Sequence, residues 1–361
     1  MMPKVVPYVN AQPNTVWRPS LRRDQRAVSE VLGVVMMLAM VITIMGGVWV
    51  FLNPYITDFE DNTNWNSATG IAERFEDRID VAGGAPEGTG IRHTLALQST
   101  MIQSVEKVET WTMAADLTPY DSVTVRDENS SALGIYSMNE TARSITIETE
   151  YGVESFSFEA SHEEVLVRHN STQQHWMVVT VFDSDNNPIH RSFTYLISGI
   201  QITTSLGQGE HQIALMNNAR VERFPNEPWS VSHFPKIEID PLVNGEFRLS
   251  LVLSDVTING SLGSGNKIGM NMISMGPMTL FSGEAYNVKF TVVNSLNDLI
   301  TPQYHDRMLD EYNLNRASGT LDTYVGYAPF LRASGADGFT VETQGAQLYL
   351  EVDVKRVEVS R

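Results

Sequence analysis

The chain has 361 residues, a formal net charge of −18 and no cysteine. Zero cysteine excludes disulfides, thiolate zinc sites and thiol nucleophiles. The acidic balance argues against a nucleic-acid partner, whose phosphates need a basic face. Charge is unevenly placed: residues 1–27 carry +4, whereas residues 53–361 carry −21.

Residues 1–21 hold Pro3, Pro7, Pro13 and Pro19 among polar neighbours and predict no fold of their own. Arg22-Arg23-Asp24-Gln25-Arg26-Ala27-Val28-Ser29-Glu30 follows, and then an apolar run from Val31 to Leu52. No charge falls between Glu30 and Asp58. An uncharged run of about 20 apolar residues is what a helix needs to cross a bilayer. As a helix, Val28 to Leu52 spans roughly 37 Å, enough for a hydrocarbon core of about 30 Å with some tilt. Basic residues beside a first spanning helix stay in the cytoplasm, which places the rest of the chain outside. An ordinary secretory signal fits poorly, because Val48-Trp49-Val50-Phe51-Leu52 is bulky where a small-residue cleavage site belongs. Pro54 predicts an end or kink of the helix near Asn53.

Arg26-Ala27-Val28-Ser29-Glu30-Val31-Leu32-Gly33, running directly into the apolar helix, resembles the class III signal peptide of archaeal type IV pilin-like proteins. The later Gly83-Gly84-Ala85-Pro86 is similar to a segment of pilin-like archaeal surface proteins with a large β-rich exterior. The resemblance implies cleavage between Ala27 and Val28 by a prepilin peptidase. It further implies assembly with other pilin-like subunits and the pilus machinery, in contact with membrane lipid. Glu30 would then lie at the helix start, where a carboxylate favours the positive end of the dipole, within reach of a neighbour's Val28 amine. Major pilins are usually much shorter, so the length points to a minor or membrane-retained member. A plain uncleaved signal anchor carrying a binding or envelope-structural head is the alternative.

Beyond Pro54, Ile71, Phe75 and Ile79 recur at helical spacing, with charges on the other faces. This predicts a helical extension over 54–82, stopped by Gly83-Gly84-Ala85-Pro86. From Arg92 the period changes to two. Strands are predicted at Thr94–Leu97, Val105–Trp111, Ser144–Glu148, Ser155–Glu159, Trp176–Phe182, Ser192–Ile197, Phe247–Leu253, Val288–Val293 and Gln347–Val359. Only Pro302–Asn315 looks helical late in the chain. The fold class expected is mainly β: a leader at 1–27, a membrane or filament-core helix at 28–53, the extension at 54–82, and an antiparallel, sandwich-like exterior head over 83–361. Ser205–Gly209 marks a candidate subdivision of that head.

Candidate chemistry is sparse. Asn129, Asn139, Asn170 and Asn259 each begin an N-x-Ser/Thr tripeptide, a candidate N-glycosylation site on an exterior domain. Asp183-Ser184-Asp185-Asn186-Asn187-Pro188 offers alternate oxygen ligands but lacks the later glycine and glutamate of a calcium loop, and reads as a hairpin turn. Of eight histidines, His162, His169 and His175 lie nearest together, without metal-ligand spacing. No nucleophile elbow or phosphate loop occurs. The reading is therefore a non-enzymatic surface protein with no cofactor and no metal.

Overall fold

The computed structural model describes residues 25–97, 100–129, 131–169, 175–242, 247–260, 262, 267–297, 300–304, 306–307, 330–333, 338–342 and 348–361. The chain divides into two compact units, Met1–Phe59 and Glu60–Arg361. One helix, α1 (Gln25–Gly83), serves both. It does not stop at Asn53, because Pro54 lies inside it. Proline removes a single ladder bond and crowds the carbonyl of Val50, a loss that the turns on either side outweigh. Thr57 Oγ1 donates to Asn53 O at 3.0 Å within this stretch.

Nineteen strands follow among the described residues. The first nine are β1 (Gly90–Leu95), β2 (Thr100–Asp116), β3 (Val123–Asn129), β4 (Ala132–Ser137), β5 (Ser144–Thr149), β6 (Gly152–Ser157), β7 (Val165–Arg168), β8 (Trp176–Phe182) and β9 (Pro188–Leu206). Next come β10 (Gly209–Met216), β11 (Ala219–Arg223), β12 (Ser230–His233), β13 (Lys236–Pro241) and β14 (Phe247–Asn259). The last are β15 (Ile268–Ser274), β16 (Met278–Asn294), β17 (Phe330–Ala333), β18 (Gly338–Glu342) and β19 (Leu348–Ser360). The fold is mainly β. A three-stranded sheet runs β3-β4-β7, and the other strands form one 16-stranded hydrogen-bonded network. Pairing is antiparallel except between β14 and β19, which run parallel from Phe247↔Leu348 to Asn259↔Ser360. Ser205–Gly209 is the tight hairpin joining β9 to β10, with Leu206 opposite Gly209. Late in the chain, residues 300–304 and 306–307 are helical, and the rest of the stretch to Asn315 lies outside the described residues.

Three hydrophobic cores organise the head. The first gathers Trp111, Phe193, Tyr195, Leu251, Phe290 and Leu350. The second packs Ala68, Ile71, Ala72, Phe75, Ile79 and Ala82 of α1 on Ile102, Ile200, Ile202, Met270 and Val357. A third lies among Val123, Leu133, Ile145, Val167 and Val181. Successive strand side chains point to opposite faces, and this explains how the long strands serve two cores. In β9, Phe193, Tyr195 and Ile197 enter the first core, while Ile200 and Ile202 enter the second from the other face. β14 changes face between Leu253 and Val256, and β19 between Val354 and Val357. β2 is interrupted at the same level by a bulge between Val105 and Glu109, where Lys107 adopts φ 49°. Gly199 marks the crossing, since a Cβ there would meet Leu215 O at 2.4 Å.

Candidate functional site

The apolar half of α1 comes first. Every large apolar side chain from Val31 to Leu52 is exposed, between 45% (Leu52) and 73% (Val50). A soluble monomer rarely leaves such a surface to water. This N-terminal helix is long and apolar enough to span a membrane. Its one hydroxyl in the stretch is satisfied internally, with Thr43 Oγ1 donating to Ala39 O at 2.8 Å, as an apolar solvent requires. Ala27 and Val28 belong to the first turn of the helix, and their side chains lie outside the described residues. Glu30 is exposed on the helix, five residues past its first residue Gln25, and the first turn holds no acid.

The second half of α1, from Glu60, is built differently. Ala68, Ala72 and Phe75 are fully buried against the sheet. Polar clamps flank this apolar seam. Gly207 N donates to Asp61 Oδ1 at 2.8 Å, Lys355 Nζ pairs with Asp80, and His233 Nδ1 lies 2.8 Å from Glu76 Oε1. Arg220, nearly buried, has Nη1 at 3.8 Å from both Glu73 and Glu76 and Nε at 3.2 Å from Glu222 Oε1. The His211 imidazole, with Nε2 3.6 Å from Glu222 Oε2, holds the Glu222 carboxyl below its ordinary value, with burial opposing. Beside these clamps an open groove of about 1480 Å³ is lined by Glu73, Asp77, His93, His233, Lys236 and Arg307. Its charges are of both signs, so it selects no simple ion.

Inside the head, a polar seam runs where the long strands change face. Glu109 is fully buried and accepts from Trp111 Nε1 at 2.7 Å, Asn217 Nδ2 at 2.9 Å and Asn294 Nδ2 at 3.1 Å. Burial pushes its carboxyl up against the pull of those donors. Asn217 carries the seam onward, accepting Ser254 N at 3.3 Å. The neighbouring Asp255 accepts from Ser198 N at 2.8 Å and Tyr195 OH at 3.2 Å, and lies 2.7 Å from His175 Nε2. Ser198 Oγ in turn accepts Lys107 N at 3.0 Å. These carboxylates are consumed by donors from several strands, and their chemistry is cross-linking. A third pair, His190 Nδ1 and Asp116 Oδ1 at 3.0 Å, is buried elsewhere.

The three histidines nearest in sequence take different partners. His162 pairs with Glu140 at 2.8 Å, His169 N donates to Ser131 O, and His175 meets Asp255. Among the described residues no group of His, Asp or Glu is arranged to hold a metal ion. The Asp183 loop is a hairpin turn, with Asp183 Oδ1 accepting Asp185 N at 2.9 Å and Asn187 N at 2.7 Å. Of the glycosylation candidates, Asn139 is exposed after β4 and Asn259 is exposed at the end of β14. Asn129 closes β3 with its side chain outside the described residues, and Asn170 lies outside them altogether. Glu109 and Asp255 went unmarked in the sequence. The available signal was an acid interrupting an apolar strand, as in Leu251-Val252-Leu253-Ser254-Asp255-Val256.

No family model matches the chain, and no curated protein or solved structure matches it either.

Proposed function

We propose that the chain is a type IV pilin-like cell-surface protein of the archaeal class, minor or membrane-retained, with a non-enzymatic head displayed outside for adhesion or surface structure. In this reading a prepilin peptidase cuts between Ala27 and Val28. The freed Val28–Leu52 helix then sits in lipid or among the helices of other subunits. The observation that carries the reading is the continuity of α1. A basic leader and the Arg26-Ala27-Val28-Ser29-Glu30 motif enter an uncharged, exposed helix that runs on, past Pro54, into a half buried in the head. A lipid-facing span and a head-docking segment in one helix suit a subunit whose head is carried on its own anchor. The head we read as sandwich-like, because β2 and β9 share the first core with β14, β16 and β19. The leader's five Lys and Arg beside the span, with residues 53–361 at −21 beyond it, agree with an inside leader and an outside head.

Ala27→Trp tests the cleavage. A peptidase pocket for a small residue rejects an indole, so the variant should accumulate in the membrane at precursor mobility. Processing of the variant to the same size as the wild type would contradict the proposal in favour of an uncleaved anchor.

A further inference from the structure

The β5–β6 hairpin presents a free strand edge. Among the described residues β6 pairs with β5 alone, and the register runs from Ser144↔Ser157 to Thr149↔Gly152 without a shift. Hydrogen-bonded and non-bonded pairs alternate along an antiparallel ladder. Phe158 N donates to Arg143 O at 2.8 Å, which makes 143–158, 145–156, 147–154 and 149–152 the hydrogen-bonded pairs. The N–H and C=O groups of Val153, Ser155 and Ser157 therefore point away from β5, and all three residues are exposed. Such a row of unpaired backbone groups is a template for another strand. Other edges of the head are blunted. β13 opens on Lys236 and ends on Pro241, β3 is bulged between Asp127 and Asn129, and β7 and β12 are four residues long. β6 has no proline, no lysine and no bulge. Apolar groups lie beside it. Tyr151 is 73% exposed and Val153 66%, and Phe156 is half-buried at the rim of the third core.

The charge around this edge selects its occupant. From Ser144 to Ser161 the chain carries Glu148, Glu150, Glu154 and Glu159 and no lysine, arginine or histidine. Like charge turns away a second copy of the same hairpin, whereas a basic segment is drawn in. We propose that β6 takes an extended, basic segment of another protein as an added strand. The addition is antiparallel, the more stable pairing per residue. Main-chain bonds to Val153, Ser155 and Ser157 supply the affinity, and side chains at alternate positions supply the specificity. Each residue of the added strand lies beside one residue of β6. The residue opposite Glu154 is basic, and the residue opposite Val153 is apolar. The added strand also shields Phe156 and so extends the third core. The inference concerns the head alone and does not depend on processing at Ala27.

The test uses the full chain in detergent and a fluorescent Val-Lys-Val-Lys-Val peptide, with anisotropy read at physiological ionic strength. The control is the same peptide N-methylated on its valines, which keeps the charge and removes the N–H groups that would face β6. Saturable binding is expected, weaker by about tenfold or more for the methylated peptide and for the Val153→Lys protein. Val153 is exposed, so that variant keeps the fold, and circular dichroism checks it. Equal affinity for the two peptides means charge attraction without strand addition and overturns the proposal. No binding, or tighter binding of Val-Glu-Val-Glu-Val, overturns it as well. Sedimentation without peptide reads the remaining occupant. A wild-type dimer that Val153→Lys dissolves would give the edge to a second copy and overturn the basic partner.

Discussion

The carboxylate of Glu109 receives three side-chain N–H donors from β2, the β10–β11 turn and the end of β16. Removing it leaves buried donors without an acceptor, which costs more than the net value of the bonds themselves. Glu109→Ala should therefore destabilise the head by about 3 kcal/mol or more, read by chemical denaturation of the protein in detergent. A loss near zero would mean that water replaces the carboxylate. His175 supplies a pH signature. Burial pulls its imidazole down, but the hydrogen bond and charge of Asp255 outweigh this and the net shift is upward. A raised folded value means that the native state holds the proton more tightly. The stabilisation is therefore complete below the ordinary imidazole value of about 6.5 and is lost as pH rises through the folded value. Thermal melts should show this loss in the wild type and a flatter profile in His175→Gln; equal slopes would contradict the pairing. At this scale little was legible beforehand. Asp255 and His175 are 80 residues apart, and only the folded sheet brings them together.

Among the elements, α1 joins two environments in one secondary structure. Its second half is held by a face of alanines with Ile71, Phe75 and Ile79 at its centre. Truncating the fully buried Phe75 to alanine should cost about 3–5 kcal/mol. Faster proteolysis near residues 60–83 would accompany the loss, and unaltered stability and protection would contradict this packing. The i, i+4, i+8 spacing of those three residues made this half legible. The long strands were only half legible for a physical reason. Ser192–Ile197 and Phe247–Leu253 show alternation, whereas Val105–Trp111 spaces Val105, Val108 and Trp111 three apart across the bulge, and β2, β9 and β14 all run well beyond these stretches. Where a strand changes its buried face, the period-two pattern slips phase and polar residues such as Ser198 and Asp255 appear. Other strands carry weak signals. β12 reads Ser230-Val231-Ser232-His233, short and mostly polar, and in β15 Gly269 and Asn271, both unfavourable in strands, interrupt the apolar residues Ile268, Met270, Met272 and Ile273. The parallel pairing of β14 with β19 was not legible at all, because local alternation carries no information on strand direction.

As a whole, the chain runs from a basic N-terminal stretch through an uncharged apolar helical segment to an acidic, β-rich remainder, and this order is written in the sequence by charge and hydropathy alone. Net negative charge keeps such a head from sticking to its copies at low salt, so any assembly falls to the helix. The exposed apolar surface of Val31–Leu52 needs lipid or partner helices in either state. What distinguishes a pilin-like subunit from a permanent anchor is the covalent start of the mature chain. The decisive measurement is the N-terminal peptide mass of the protein taken from native membranes or shed filaments. The account predicts a chain beginning at Val28, with residues 1–27 gone. A chain that retains residues 1–27 would contradict it and leave a surface head on an uncleaved membrane helix.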